Sequence, residues 1–166
     1  ICKSKRVANP GCFATCIQLG LLPLAKHGLL NSDVQVNAIT GSTGAGVKPS
    51  ATSYFSWRND NISIYKPFKH QHLAEINQSL CQLQPGFQHR INFIPVRGNF
   101  SRGIFATLYL DCNRDIEELT RLYEEYYDDH HFTFITDKNP DLKQVVNTNK
   151  CLIHLERIDD KLLIIS

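Results

Sequence analysis

The sequence predicts an α+β domain built on a mixed, largely antiparallel sheet with helices on one face. Short segments of alternating β-branched residues outnumber the helical ones, and only three stretches carry helical periodicity. The two kinds of segment do not alternate in the regular strand-helix-strand order of a parallel sheet. At 166 residues and 42% hydrophobic content the chain holds one ordinary core, so a single domain is expected.

From Cys12 to about Lys26, Phe13, Ile17, Leu21 and Leu24 recur at helical spacing, with Gly28 as the stop and Pro23 as a site for a kink or break. Asp33 to Thr40 alternates as a strand and runs into the Gly-rich segment Gly41-Ser42-Thr43-Gly44-Ala45-Gly46, read as a flexible loop. A short strand at Ile62 to Tyr65 leads through His70-Gln71-His72 into a helix from Leu73 to Leu83. Arg90 to Val96 and Ile104 to Cys112 read as strands. Asp115 to Tyr127 is an amphipathic helix capped by an acid, and Phe132 to Ile135, Cys151 to Glu156 and Leu162 to Ile165 complete the strands.

The net charge of +2 is spread over interspersed acids and bases, which gives no electrostatic case for nucleic acid or an anionic membrane surface. No apolar run approaches the roughly 18 residues that cross a bilayer, and a soluble protein of the reducing cytoplasm is expected. Six cysteines, at 2, 12, 16, 81, 112 and 151, sit in apolar or strand-like segments and read as free thiols rather than a disulfide scaffold. The chain starts at Ile1, has no methionine and stops in an apolar strand, so it reads as part of a longer protein.

Pro10-Gly11 makes a tight turn that sets Cys12 at the first turn of a helix, where free N–H groups and the positive dipole end favour a thiolate. From the residues alone Cys12 is either that nucleophile or a structural cysteine at a strand-to-helix corner. Cys12 and Cys16 with His70 and His72 make a poor zinc set, because C-x3-C lacks a second close pair; no metal is expected. One imidazole of His70-Gln71-His72 can serve as general acid or base with Glu75 supporting the helix start, or stay in a loop without a role. Arg102, in Gly98 to Gly103, reads as a buried-side arginine suited to a carboxylate or phosphate, or as a surface ion-pair residue. Asp128-Asp129-His130-His131 reads as a solvated turn.

Taken together, Asn9-Pro10-Gly11-Cys12, Thr40-Gly41-Ser42-Thr43-Gly44-Ala45-Gly46, His70-x-His72-x-x-Glu75-Ile76 and Ser101-Arg102-Gly103-Ile104 resemble the N-acyl-gamma-glutamyl-phosphate reductases, in the right order and over nearly the whole chain. The resemblance implies the fold of the C-terminal domain of the glyceraldehyde-3-phosphate and aspartate-semialdehyde dehydrogenases. It further implies that residues 1–166 are a catalytic and dimerisation domain, with an N-terminal NADP-binding Rossmann domain and a last C-terminal segment lying outside this chain. The activity implied is NADPH-dependent reduction of an acyl phosphate in arginine biosynthesis, through a thioester on Cys12, by a homo-oligomer (dimer or tetramer) acting on a small molecule.

His70 is implied as the acid/base partner, with His72 a near substitute; His72, Arg102 and Tyr65 are implied to meet substrate, and Thr40, Gly41, Ser42 and Gly44 the cofactor. The chain departs from the family pattern at Ala14 and Ala74, where prolines are usual, and at Val47, where an arginine is usual. Two alternatives stand beside this reading: a dimerisation and substrate-binding module without turnover, and a reductase of another acyl phosphate such as aspartyl phosphate. The acyl group, acetyl or succinyl, is not legible.

Overall fold

The chain is described, for residues 3–166, in a computed structural model. Among the described residues seven strands form one sheet: β1 (Val34–Thr40), β2 (Ser63–Ile64), β3 (Ile91–Arg97), β4 (Ile104–Asp111), β5 (Thr133–Ile135), β6 (Cys151–Ile158) and β7 (Lys161–Ile165), in the order β2-β3-β1-β4-β7-β6-β5. The pairs β1/β3 and β5/β6 are parallel and the others antiparallel, so the sheet is mixed and largely antiparallel. The helices are α1 (Cys12–Lys26), α2 (Phe55–Arg58), α3 (His72–Leu83) and α4 (Ile116–Tyr127). α1 lies on β1 and β4 and touches both α3, which sits on β3, and α4, which sits on β5 and β6; the three long helices thus make one layer.

The helical spacing read in α1 is the face that enters the core: Phe13, Ile17, Leu21 and Leu24 are each at most 1% exposed. They meet Val36, Ala38, Phe93, Leu108 and Ile164, which point to the same side of their strands. On the other side the strands present Gln35, Asn37, Thr107, Tyr109 and Leu163 in adjacent rows, half-buried or exposed. No helix among the described residues is long and apolar enough to cross a membrane.

Pro23 neither breaks nor ends α1, which runs on to Lys26 before Gly28 turns the chain at φ +68°. A proline lacks the N–H that the carbonyl four residues back requires, which here is that of Leu19. The Tyr127 hydroxyl takes that place, donating to Leu19 O at 2.5 Å, and the Tyr123 hydroxyl donates to Gly20 O at 2.6 Å. Tyr127→Phe should therefore cost about 1–2 kcal/mol in chemical denaturation. In a Pro23→Ala background, where residue 23 supplies its own N–H, the same change should cost almost nothing; equal costs in both backgrounds would refute the exchange of partners.

Several expectations are corrected. The Gly-rich segment is one turn of 3-10 helix, Ser42–Ala45, not a flexible loop: Ser42 and Thr43 donate their amides to Phe100 O and Ser101 O at 2.7 and 3.2 Å. β6 and β7 extend to a two-residue turn at Asp159-Asp160, where Asp159 adopts φ +53°, a conformation a short acid tolerates. The unassigned stretch before β2 contains α2, anchored by the buried Arg58, which donates to Thr52 O, Asn61 O, Arg97 O and Ser63 Oγ. Cys12, Cys16, Cys81, Cys112 and Cys151 are free thiols; Cys2 lies outside the described residues.

Candidate active site

Gly11 is the N-cap residue of α1, and Cys12 opens the helix with its side chain exposed. The turn before Cys12 is fixed from α3. The Gly11 amide donates to both carboxylate oxygens of Glu75 at 3.2 Å, and the Gln18 side chain donates to Glu75 O at 3.1 Å. Glu75, read as a support for its own helix, instead ties α3 to the turn carrying the cysteine. The imidazole of His72 packs on Gly11 so closely that an added Cβ would lie 2.3 Å from Nε2. A glycine is required there by space, not by backbone conformation.

His70 is 4% exposed and ringed by aromatic side chains, with centroids 5.5 Å from Phe13, 5.6 Å from Tyr65, 5.5 Å from Phe93 and 4.6 Å from His72. Its Nδ1 accepts the backbone N–H of His72 at 3.2 Å, so the imidazole caps the first turn of α3. Burial, with His72 and Lys66 as neighbouring cations, pushes the His70 pKa down to about 4. It is therefore neutral at physiological pH, with Nδ1 an acceptor and the proton on Nε2. His72 Nδ1 is buried without a partner. Tyr65 is half-buried, and burial raises its phenol despite the nearby Arg97; a Cys12 thiolate is close enough to raise it further.

Arg97 is a residue the sequence reading missed. It follows Phe93 and Pro95 on the inward side of β3, and its guanidinium carbon stands 4.6 Å from the centre of the Tyr65 ring. Its Nε is buried with no hydrogen-bond partner, an arrangement that costs on the order of 1–3 kcal/mol when nothing fills it. An arginine at an inward position in a run otherwise reading Ile91, Phe93 and Pro95 was the available signal. Arg102, by contrast, is not on the buried side: it is exposed at the tip of the loop before β4. The backbone takes the inward position there, since a Cβ on Gly41 would fall 2.5 Å from Ser101 O and 2.8 Å from Arg102 N.

Thr40, 4% exposed, ends β1 beside this loop, and Gly41 is buried against it. The amides of Ser42, Thr43, Gly44 and Gly46 all bond to carbonyls, so the turn offers no cradle for a pyrophosphate. Gly44 is exposed, and an added Cβ there would meet only Thr40 Oγ1, at 3.2 Å. Val47 is fully exposed on the far side of the turn.

A cavity of about 690 Å³ opens at Cys12, lined by Thr15, Cys16, Ile104, Cys151 and Ser166 among others. Cys16 donates to Ser166 Oγ at 3.4 Å, and the Cys151 thiol lies 3.5 Å from the same oxygen. Burial pushes the Cys16 thiol up to about 12, so at neutral pH it stays protonated. Cys16 thus faces Ser166, whereas the two histidines face Phe13; the structure does not bring the four into one ligand set.

An N-acetyl-gamma-glutamyl-phosphate reductase of Parabacteroides distasonis is 81% identical over 166 residues, 100% of this chain and 52% of that protein. One from Phocaeicola vulgatus is 71% identical over the same coverage. The chain spans about half the length of the curated relatives it matches. Among solved structures, aspartate semialdehyde dehydrogenase II from Vibrio cholerae superposes with a TM-score of 0.68 at 11% identity, covering 96% of this chain and 56% of that one; this shows a shared fold. Residues 12–166 match the family described as semialdehyde dehydrogenase, dimerisation domain, and the chain belongs to that family.

Proposed function

We propose that this chain is the catalytic and dimerisation domain of an N-acyl-gamma-glutamyl-phosphate reductase of arginine biosynthesis, a cytoplasmic homo-oligomer whose dinucleotide-binding domain lies outside these residues. The observation that carries this is an exposed Cys12 at the first turn of α1, on a turn held between Glu75 and the imidazole of His72. The sheet face opposite the helices, with Thr107, Tyr109 and Leu163, is the surface that would self-associate.

The Cys12 sulfur attacks the acyl carbon of the substrate. The carbon–oxygen bond to phosphate breaks, phosphate leaves with the electron pair and the thiol proton, and a thioester remains on Cys12. NADPH, when bound, supplies a hydride to the thioester carbon. The carbon–sulfur bond of the resulting tetrahedral adduct then breaks, releasing the aldehyde and returning the sulfur as a thiolate, which a proton restores. The proton passes from sulfur to phosphate through the histidine pair: His72, whose Nδ1 is free, can accept it, and His70, whose Nε2 carries a proton, can donate one to the leaving phosphate. Tyr65 borders the reacting centre, and Arg102 at the loop tip meets a substrate carboxylate from the rim. Thr40, Gly41, Ser42 and Gly44 form the surface that meets the nicotinamide.

The test is turnover by the full-length protein on N-acetyl-glutamyl, N-succinyl-glutamyl and aspartyl phosphate, followed as NADPH oxidation. One of the two glutamyl substrates should exceed aspartyl phosphate in kcat/KM by at least about 100-fold, since one methylene alone is worth 10- to 200-fold. A preference for aspartyl phosphate would overturn the assignment.

A further inference from the structure

The end of β3 holds two cations with no anion. Arg58 and Arg97 are neighbours, joined where Arg58 Nη1 donates to Arg97 O at 2.9 Å; burial, and then the charge of Arg97, lower the Arg58 pKa. Arg58 is fully occupied by carbonyls and a hydroxyl, as a structural arginine should be. Arg97 is not. Its Nε is buried and unpartnered, and among the described residues no carboxylate lies within 4 Å of either guanidinium.

The Arg97 guanidinium lies against the Tyr65 ring, 4.6 Å from its centre, and that tyrosine in turn touches His70. A planar, charged fork one residue away from His70, with a buried donor unused, is the geometry that receives an oxyanion. Arg97 is half-buried, but its enclosed Nε lacks the carbonyl partners that Arg58 finds.

We infer that Arg97 is a substrate-binding residue, which receives an anionic group of the substrate at the inner end of the site. This rests on the function proposed above and adds to it a second cation, distinct from Arg102 at the rim. The group is an oxyanion of the acyl phosphate substrate, either its phosphate or its carboxylate. Arg97 thereby sets how the substrate lies against Cys12, and Tyr65 acts as a positioning residue for the guanidinium.

The experiment runs the reaction of the full-length protein in reverse, from the N-acyl-glutamate semialdehyde, NADP and inorganic phosphate, and compares the parent with Arg97→Met and Arg97→Lys. Arg97→Met keeps the stem on Tyr65 and removes the fork. It should raise one KM roughly 10- to 100-fold while kcat changes less than threefold. A rise in the KM for inorganic phosphate identifies the phosphate as the bound group; a rise in the KM for the aldehyde identifies the carboxylate. Arg97→Lys should recover part of the loss, and it carries the test if the methionine variant does not fold. Both KM values within twofold of the parent in a folded variant would overturn the inference while leaving the proposed function intact. A parent with no such turnover removes the function and this inference together.

Discussion

Cys12→Ala in the full-length protein is expected to lower kcat/KM by at least about a thousandfold, because a covalent mechanism has no second route to the aldehyde once its nucleophile is gone. The fold should not register the change. Cys12 is exposed at the first position of α1 and accepts no hydrogen bond from its neighbours, and alanine is a good helix former. Stability in chemical denaturation should stay within about 0.5 kcal/mol of the parent. A folded alanine variant that keeps a tenth of the parent's activity would end the thioester mechanism. Neither Cys16 nor Cys151 can stand in, since each is drawn to Ser166, and burial raises both thiols.

Gly11→Ala is expected to be nearly as damaging by a different route. The new methyl would occupy space 2.3 Å from His72 Nε2 and 2.6 Å from the adjoining ring carbons. The imidazole is what yields, because its Nδ1 has no hydrogen bond to hold it, whereas the Gly11 amide is held by Glu75. We expect kcat to fall by about 100-fold or more, as when a general acid or base is displaced, with a stability cost of about 1–3 kcal/mol for overpacking. In a His72→Ala background the same substitution should do almost nothing further, since the clash is gone. A Gly11→Ala protein with kcat within threefold of the parent would show that His72 has no part in the reaction.

The fold was largely legible because each long element carries its burial pattern in its own residues. Phe13, Ile17, Leu21 and Leu24 reveal α1, and the apolar alternation of Val34, Val36 and Ala38 reveals β1. What escaped depends on partners far along the chain. The order of the Gly41–Gly46 turn comes from carbonyls at Phe100 and Ser101, and α2 is held by Arg58 through β3. The site divided the same way. Cys12, His70 and His72 stand in local motifs, so their placement on α1 and at the start of α3 could be read from position alone. Arg97 went unread because strand parity places it inward, and Arg102 is exposed because the backbone contact with Gly41 takes the inward position at its loop.

The hydroxyl that Tyr127 lends to Leu19 bears on the order in which the protein is made. An interior proline costs an isolated helix about 3 kcal/mol, so the segment carrying Cys12 is a poor helix when it first leaves the ribosome. Its missing partner lies 108 residues later in the chain. The helix that presents the cysteine is therefore completed only when α4 arrives, and the reactive turn takes its final form only after the chain as far as Tyr127 has been made.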